Sequence, residues 1–178
     1  KRRIQNGFIQ GDSIATIVAD ARRFIDKTSR NDIEATVRTV VNHYAAESRS
    51  AATLANQQYF SGERFIATLD INTTFLCAGY DRNIYLVGRG PHPPLHYRCR
   101  SLRRPEVHPR YSISSLEGQR PSIGATGPRP TSQREAFDGF MRRQPADFQD
   151  RYFGKQRAAS FRRGVKIEDM REESGNVL

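Results

Sequence analysis

The sequence predicts a helix-rich α+β fold, and three observations carry that prediction. Apolar side chains recur at the helical period of about 3.6 residues through most of the first sixty positions. Two short runs of strand composition follow, on either side of a turn-like Cys77–Asp81. A helical pattern then returns at Ser132, after a long stretch dense in Gly, Pro and Arg. The 178 residues (20.3 kDa) suit one domain, and no apolar run approaches the roughly 20 residues of a membrane-spanning helix.

Asp12 or Ser13 is placed to cap a first helix whose stripe is Ile14, Ile17, Val18, Ala21, Phe24 and Ile25. A polar break at Lys27–Arg30 separates it from an antiparallel second helix opened by Asn31 or Asp32. Ile33, Val37, Val40, Val41 and Tyr44 fall in register there. The Ala-rich run to Gln58 continues it, and Ser61-Gly62 is expected to stop it. Residues 64–70 and Asn83–Val87 have strand composition. Gly88–Pro130 holds most of the prolines and reads as an extended arm that lies on the core or on a partner, with one short strand at Tyr111–Ser114. Ser132-Gln-Arg-Glu135 has the pattern of a capping box for a helix burying Ala136, Phe137, Phe140 and Met141. Pro145 suits the first turn of the next helix, with Phe148, Tyr152 and Phe153, ended by Gly154. Ala158–Arg163 forms a last helical piece closed by Gly164, and 171–178 is a polar tail. The organisation is one domain in three stretches: a core over 1–87, a basic arm over 88–131 and a helical segment over 132–178. The start, Lys1-Arg2-Arg3, lacks an initiator Met and suggests a piece of a longer chain.

Charge narrows the partners. The chain carries +10, with a pI near 10.2, and only Lys1, Lys27, Lys155 and Lys166 among its 29 basic residues are lysine. Arginine presents a planar fork of donors suited to phosphates and carboxylates. Between positions 82 and 134, Glu106 and Glu117 are the only acids. Arg98, Arg100, Arg103 and Arg104 cluster around Tyr97, and two readings stay open for them: contact with a polyanion such as DNA, or contact with protein carboxylates.

Cys77 and Cys99 admit three readings. They are reduced, partly buried thiols; a disulfide contributing about 3 kcal/mol through loop entropy; or half of a Cys2His2 zinc set with His92 and His96. Against the last, Pro91, Pro93 and Pro94 forbid a helix presenting both histidines on one face. No nucleophile elbow or phosphate loop is present, and Gly88-Arg-Gly90-Pro lacks the helix a phosphate cradle needs. His43, His108 and the Glu172-Glu173 pair read as packed or solvated residues. The expectation is therefore a non-enzyme without a cofactor.

The order of pieces adds a resemblance. Phe65-Ile-Ala-Thr-Leu-Asp70-Ile-Asn-Thr73, Cys77 in a turn, Gly90, Pro93-Pro94 and His96-Tyr-Arg-Cys99-Arg-Ser101 follow a helical pair. This resembles the Mu F-like phage head morphogenesis family, minor head proteins whose pattern is Leu-Asp-x-x-Thr-Cys-x-x-Cys, a short Asp-Gly, then His-Pro-x-Cys-Arg-Cys. Asp70, Thr73, Cys77, His96, Cys99 and Arg100 match. Thr74 and Ser101 replace two cysteines, Tyr97 replaces Pro, and Arg82 replaces the Gly after Asp81. The Val37–Asn42 helix and the stretch from Phe140 through Phe153-Gly154 to Gly164 agree as well. The resemblance implies a structural virion protein at the head or portal vertex, assembled in the host cytoplasm in several copies, with portal or major capsid protein and packaged double-stranded DNA as partners and no membrane. The alternatives are a non-specific DNA-binding protein ejected with the genome, or a toxin-like effector module.

Overall fold

Helices do begin the chain, but among the described residues three of them precede the first strand: Arg2–Gln10 (α1), Ile14–Arg22 (α2) and Arg30–Ala55 (α3). The protein is represented by a computed structural model that describes residues 2–23, 30–111 and 118–173. Ser13 caps α2 as expected, its hydroxyl accepting from the Thr16 amide at 3.1 Å. Ile17, Val18, Ile33 and Val37 form the buried seam between α2 and α3, joined by Ile4 of α1. Gly7 allows α1 to approach, because a Cβ there would lie 2.8 Å from Ile17 Cγ1. The expected Phe24, Ile25 and the Lys27 end of the polar break lie outside the described residues, and Arg30 already belongs to α3.

Helix α3 stops at Ala55, six residues before the expected Ser61-Gly62. Asn56 ends it, its side chain donating to the Ala52 carbonyl at 2.9 Å and its amide to Thr53 O at 3.2 Å. A 3-10 turn at Gln57–Tyr59 leads into strand β1, Phe60–Ile66, which contains Ser61-Gly62. Gly62 is required there by close strand approach, since a Cβ would lie 2.7 Å from the Tyr85 carbonyl oxygen. Strand β1 is central in an antiparallel sheet of order β2–β1–β3, between Ile84–Tyr85 (β2) and Leu102–Val107 (β3). The expected strand over 64–70 therefore ends at Ile66, and Leu69 makes only an isolated parallel bridge to Ser122. The turn expected at 77–81 is instead a short helix, Phe75–Tyr80 (α4), capped by Thr74.

The arm expected over 88–131 is built into the fold. It supplies β3, a 3-10 turn at Pro109–Tyr111, strand β4 (Gln119–Gly124) and most of strand β5 (Gly127–Ser132), the last two forming a hairpin. Proline density misled because Pro105, Pro121, Pro128 and Pro130 all lie in strands with a single partner, where a missing N–H is tolerated. Tyr111 lies in the 3-10 turn and not in a strand, and residues 112–114 are outside the described set.

The capping box at Ser132 does not form. Helix α5 is Phe137–Arg142 with Ala136 at its cap, while Ser132 ends β5 and Glu135 pairs with Arg143 at 2.6 Å. Helices Ala146–Phe153 (α6), Lys155–Arg162 (α7) and Ile167–Glu173 (α8) follow, so α8 takes in part of the expected tail. Gly154 and Gly164 sit at the ends of α6 and α7, as the sequence suggested. Leu69, Phe137, Phe140, Met141, Phe148, Phe153, Phe161, Ile167 and Met170 form the main core. The architecture is α+β, with helices dominating two small sheets.

Candidate functional site

In a third, smaller core Phe65, Ala67, Cys77 and Cys99 are buried with Tyr80, Tyr85 and Leu95 against them. Two pieces of chain meet there. Helix α4 presents Cys77 on its first turn, with the Thr74 hydroxyl accepting from the Cys77 amide at 3.4 Å. The other piece is the turn His96–Cys99, closed by the Cys99 amide on His96 O at 3.1 Å. Hydrogen bonds clamp that turn onto α3: Arg98 N donates to Thr39 Oγ1 (2.9 Å), Arg98 Nη2 to Asn31 O (3.0 Å) and Asn42 Nδ2 to Cys99 O (2.9 Å). Arg98 reaches this geometry at φ +59°.

The result is a cluster of two thiols and an imidazole. Cys77 Sγ lies 3.8 Å from Cys99 Sγ and 3.2 Å from His96 Nε2, and Thr74 Oγ1 is 3.1 Å from the same nitrogen. His96 Nδ1 lies 2.8 Å from the Tyr97 carbonyl oxygen, an acceptor, so Nδ1 carries the proton and the Nε2 lone pair faces the thiols. Both cysteines are free. The two thiols are in hydrogen-bond contact, and either can be the donor. That bond draws Cys99 down to about 5 against the effect of its burial, while the same bond and burial push Cys77 up. His92 is not part of the cluster; its Nδ1 stands 3.8 Å from Glu47 Oε1 on the exposed side of α3. The prolines that forbid a helix between the two histidines send them to different neighbours.

Asp70 lies beside the cluster and is nearly inaccessible. Its carboxylate accepts from Asn72 N (2.9 Å), Thr73 Oγ1 (3.2 Å) and both terminal nitrogens of Arg100, that to Oδ1 at 2.8 Å. Burial alone would raise its pKa, but the Arg100 bonds and charge, with the Asn72 amide, hold it below the ordinary aspartate value.

The four arginines expected to meet a partner divide. Arg103 is 3% exposed and corrects that expectation: it pairs with buried Glu63 at 3.1 Å, donates to the carbonyls of Leu86 and Arg89, and lies over the Tyr85 ring. Burial lowers its pKa, with Glu63 opposing. Arg100 is held by Asp70. Arg104 bonds Glu106 (2.7 Å) and Gln133 (2.5 Å), and Arg98 bonds Asn31 while keeping an exposed side chain. Two ion pairs, Glu63–Arg103 and Asp81–Arg120, were not legible, because each joins residues distant in sequence.

Comparison with known protein families, curated proteins and solved structures finds no match.

Asp81 shows why its position matters. Its carboxylate accepts from Ala67 N (2.8 Å), the Phe137 amide (2.9 Å) and Arg120 (2.9 and 3.1 Å), and so ties the residues just after β1 and α4 to β4 and the start of α5. The next residue, Arg82, has φ +75°, in the left-handed region that favours glycine. The arrangement ties segments together. Within it Cys77 is 1% exposed, while Cys99 lines an open cleft with Asn42, Arg98 and Arg100.

Proposed function

We propose that the chain is a structural protein of a phage head, a minor head component positioned at the portal vertex or inner capsid surface. One observation carries the reading. The positions on which the family resemblance rests form two bonded groups, Asp70–Thr73–Arg100 and Cys77–His96–Cys99, knotted together through the adjacent residues Cys99 and Arg100. Such a knot holds α4 and the 96–101 turn together and has the character of a scaffold element. Arg82 adds support, because its left-handed backbone stands where the family pattern has Gly.

Cross-linking mass spectrometry on gradient-purified particles that contain the full-length protein tests the reading. Cross-links from this chain to a portal or capsid protein are the expected result. Absence of the protein from particles overturns it. A second reading, non-specific DNA binding, draws on the net charge of +10 and on exposed Arg89, Arg110 and Arg129.

A further inference from the structure

We propose that Cys77, His96 and Cys99 bind a single zinc ion, with a water beside Thr74 completing a tetrahedron. Among the described residues these three side chains form a group whose ligand atoms all lie within 4.8 Å of one another. The spacing fits the metal. Two Zn–S bonds of about 2.3 Å at the tetrahedral angle put the sulfurs about 3.8 Å apart, and a Zn–N bond of about 2.0 Å puts nitrogen and sulfur about 3.5 Å apart. The Cys77–Cys99 sulfur separation is 3.8 Å, and the Cys77–His96 separation is 3.2 Å.

A second observation is independent of those distances. A zinc-binding histidine almost always donates its other ring N–H to a carbonyl or carboxylate, which fixes the tautomer and aims the lone pair at the metal. His96 has that support in the Tyr97 carbonyl at 2.8 Å. The His96 and Cys99 ligands come from one tight turn, His96-x-x-Cys99, whose backbone is held on α3 by Thr39 and Asn42. Two of the three ligands are thus positioned before any metal arrives. The third, Cys77, lies on the first turn of α4, so the ion would cross-link α4 to the turn. The hydrated ion exchanges all but one of its waters for two Zn–S bonds and one Zn–N bond, and any proton remaining on the thiols passes to solvent. His92, at Glu47, is no ligand.

The test is metal analysis of the full chain, purified reduced and without chelators, followed by cobalt substitution. The expected result is close to one zinc per chain. The Co2+ form should show sulfur-to-cobalt charge transfer from two thiolates and the visible bands of tetrahedral cobalt. Cys77→Ser and Cys99→Ser should weaken zinc binding by more than the roughly 100-fold typical of an outer-shell change, while His92→Ala should leave binding unchanged. The cobalt spectrum of the unmutated protein decides the matter even if a cysteine variant fails to fold. Reduced protein that takes up neither metal, with both thiols free to alkylation, overturns the proposal. So does loss of zinc in His92→Ala, or a Cys77–Cys99 disulfide whose reduction creates no zinc affinity.

Discussion

Arg100 and Asp70 show what single residues contribute. Asp70 is closed off from solvent while Arg100 keeps a side-chain exposure of 43%. Truncating Arg100 to Ala leaves a buried carboxylate with only the Asn72 and Thr73 donors. The loss expected in chemical denaturation is about 2–3 kcal/mol, below the 3–5 typical of a fully buried pair because Arg100 is partly solvated. The pH dependence follows from the same pair. Asp70 has a folded pKa below its ordinary value of 3.8, so the folded state binds its proton less readily than the unfolded chain. Its contribution is complete above that ordinary value and fades as pH falls toward the folded one. Glu106 behaves alike: burial would raise its pKa, but bonds from Arg64 and Arg104 lower it. Asp70→Asn should therefore flatten the fall of stability with acidification below about pH 4 relative to the unmutated protein, measured by urea midpoints across pH. At Arg82 the test is conformational. Arg82→Gly and Arg82→Ala both lose the bond to Gln133 O, yet Gly accepts φ +75° without strain, and it should be the more stable of the two by about 1 kcal/mol in thermal or urea unfolding.

Elements here are held at their ends by residues far away in sequence. The start of α5 receives its capping carboxylate from Asp81, not from the nearby Ser132. The same carboxylate neutralises Arg120, and both side chains are nearly fully buried at 1% and 6% exposure. Asp81→Ala thus removes a cap and strands a buried guanidinium, and should cost about 3–5 kcal/mol or abolish folding, read from unfolding midpoints. A milder variant, Thr74→Ala at the cap of α4, should cost about 1 kcal/mol. Tyr152 of α6 runs the other way. Its hydroxyl is buried without a hydrogen-bond partner among the described residues, and burial pushes its pKa up. Tyr152→Phe keeps the ring packing with Phe75, Phe137 and Phe153 while deleting the unsatisfied group. It should leave stability unchanged or raise it by up to about 1 kcal/mol, measured by the same denaturation.

For the whole molecule, charge and fold have to be weighed together. Several arginines act inside the fold, as Arg64 and Arg104 on Glu106, Arg100 on Asp70, Arg103 on Glu63 and Arg120 on Asp81 show, but these pairs leave most of the positive excess unmatched. Arg64 and Arg104 sit directly opposite each other on paired strands, and Glu106 between them offsets the repulsion. A DNA-binding surface would then have to draw on the exposed arginines. If the chain meets DNA phosphates, replacing Arg89, Arg110 and Arg129 together by Gln should flatten the slope of log affinity against log salt by about 0.9 for each phosphate no longer neutralised. A salt titration by fluorescence anisotropy checks this. An unchanged slope would show that these three arginines neutralise no phosphate.

Amphipathic periodicity was enough to locate α2, α3 and the aromatic helices after position 136, because a helix declares its buried face within a few turns of chain. Cys77, His96 and Cys99 stood in the sequence only as part of a four-residue set with His92, against which the prolines argued. Three-dimensional structure alone decided which histidine joins them, because His92 and His96 differ only in what the proline-rich segment allows each to reach. It also turned the expected arm into strands and brought Arg103 to Glu63 and Arg120 to Asp81. Strand pairing and buried ion pairs join partners tens of residues apart. Their stability depends on desolvation and register, which no local window of sequence contains.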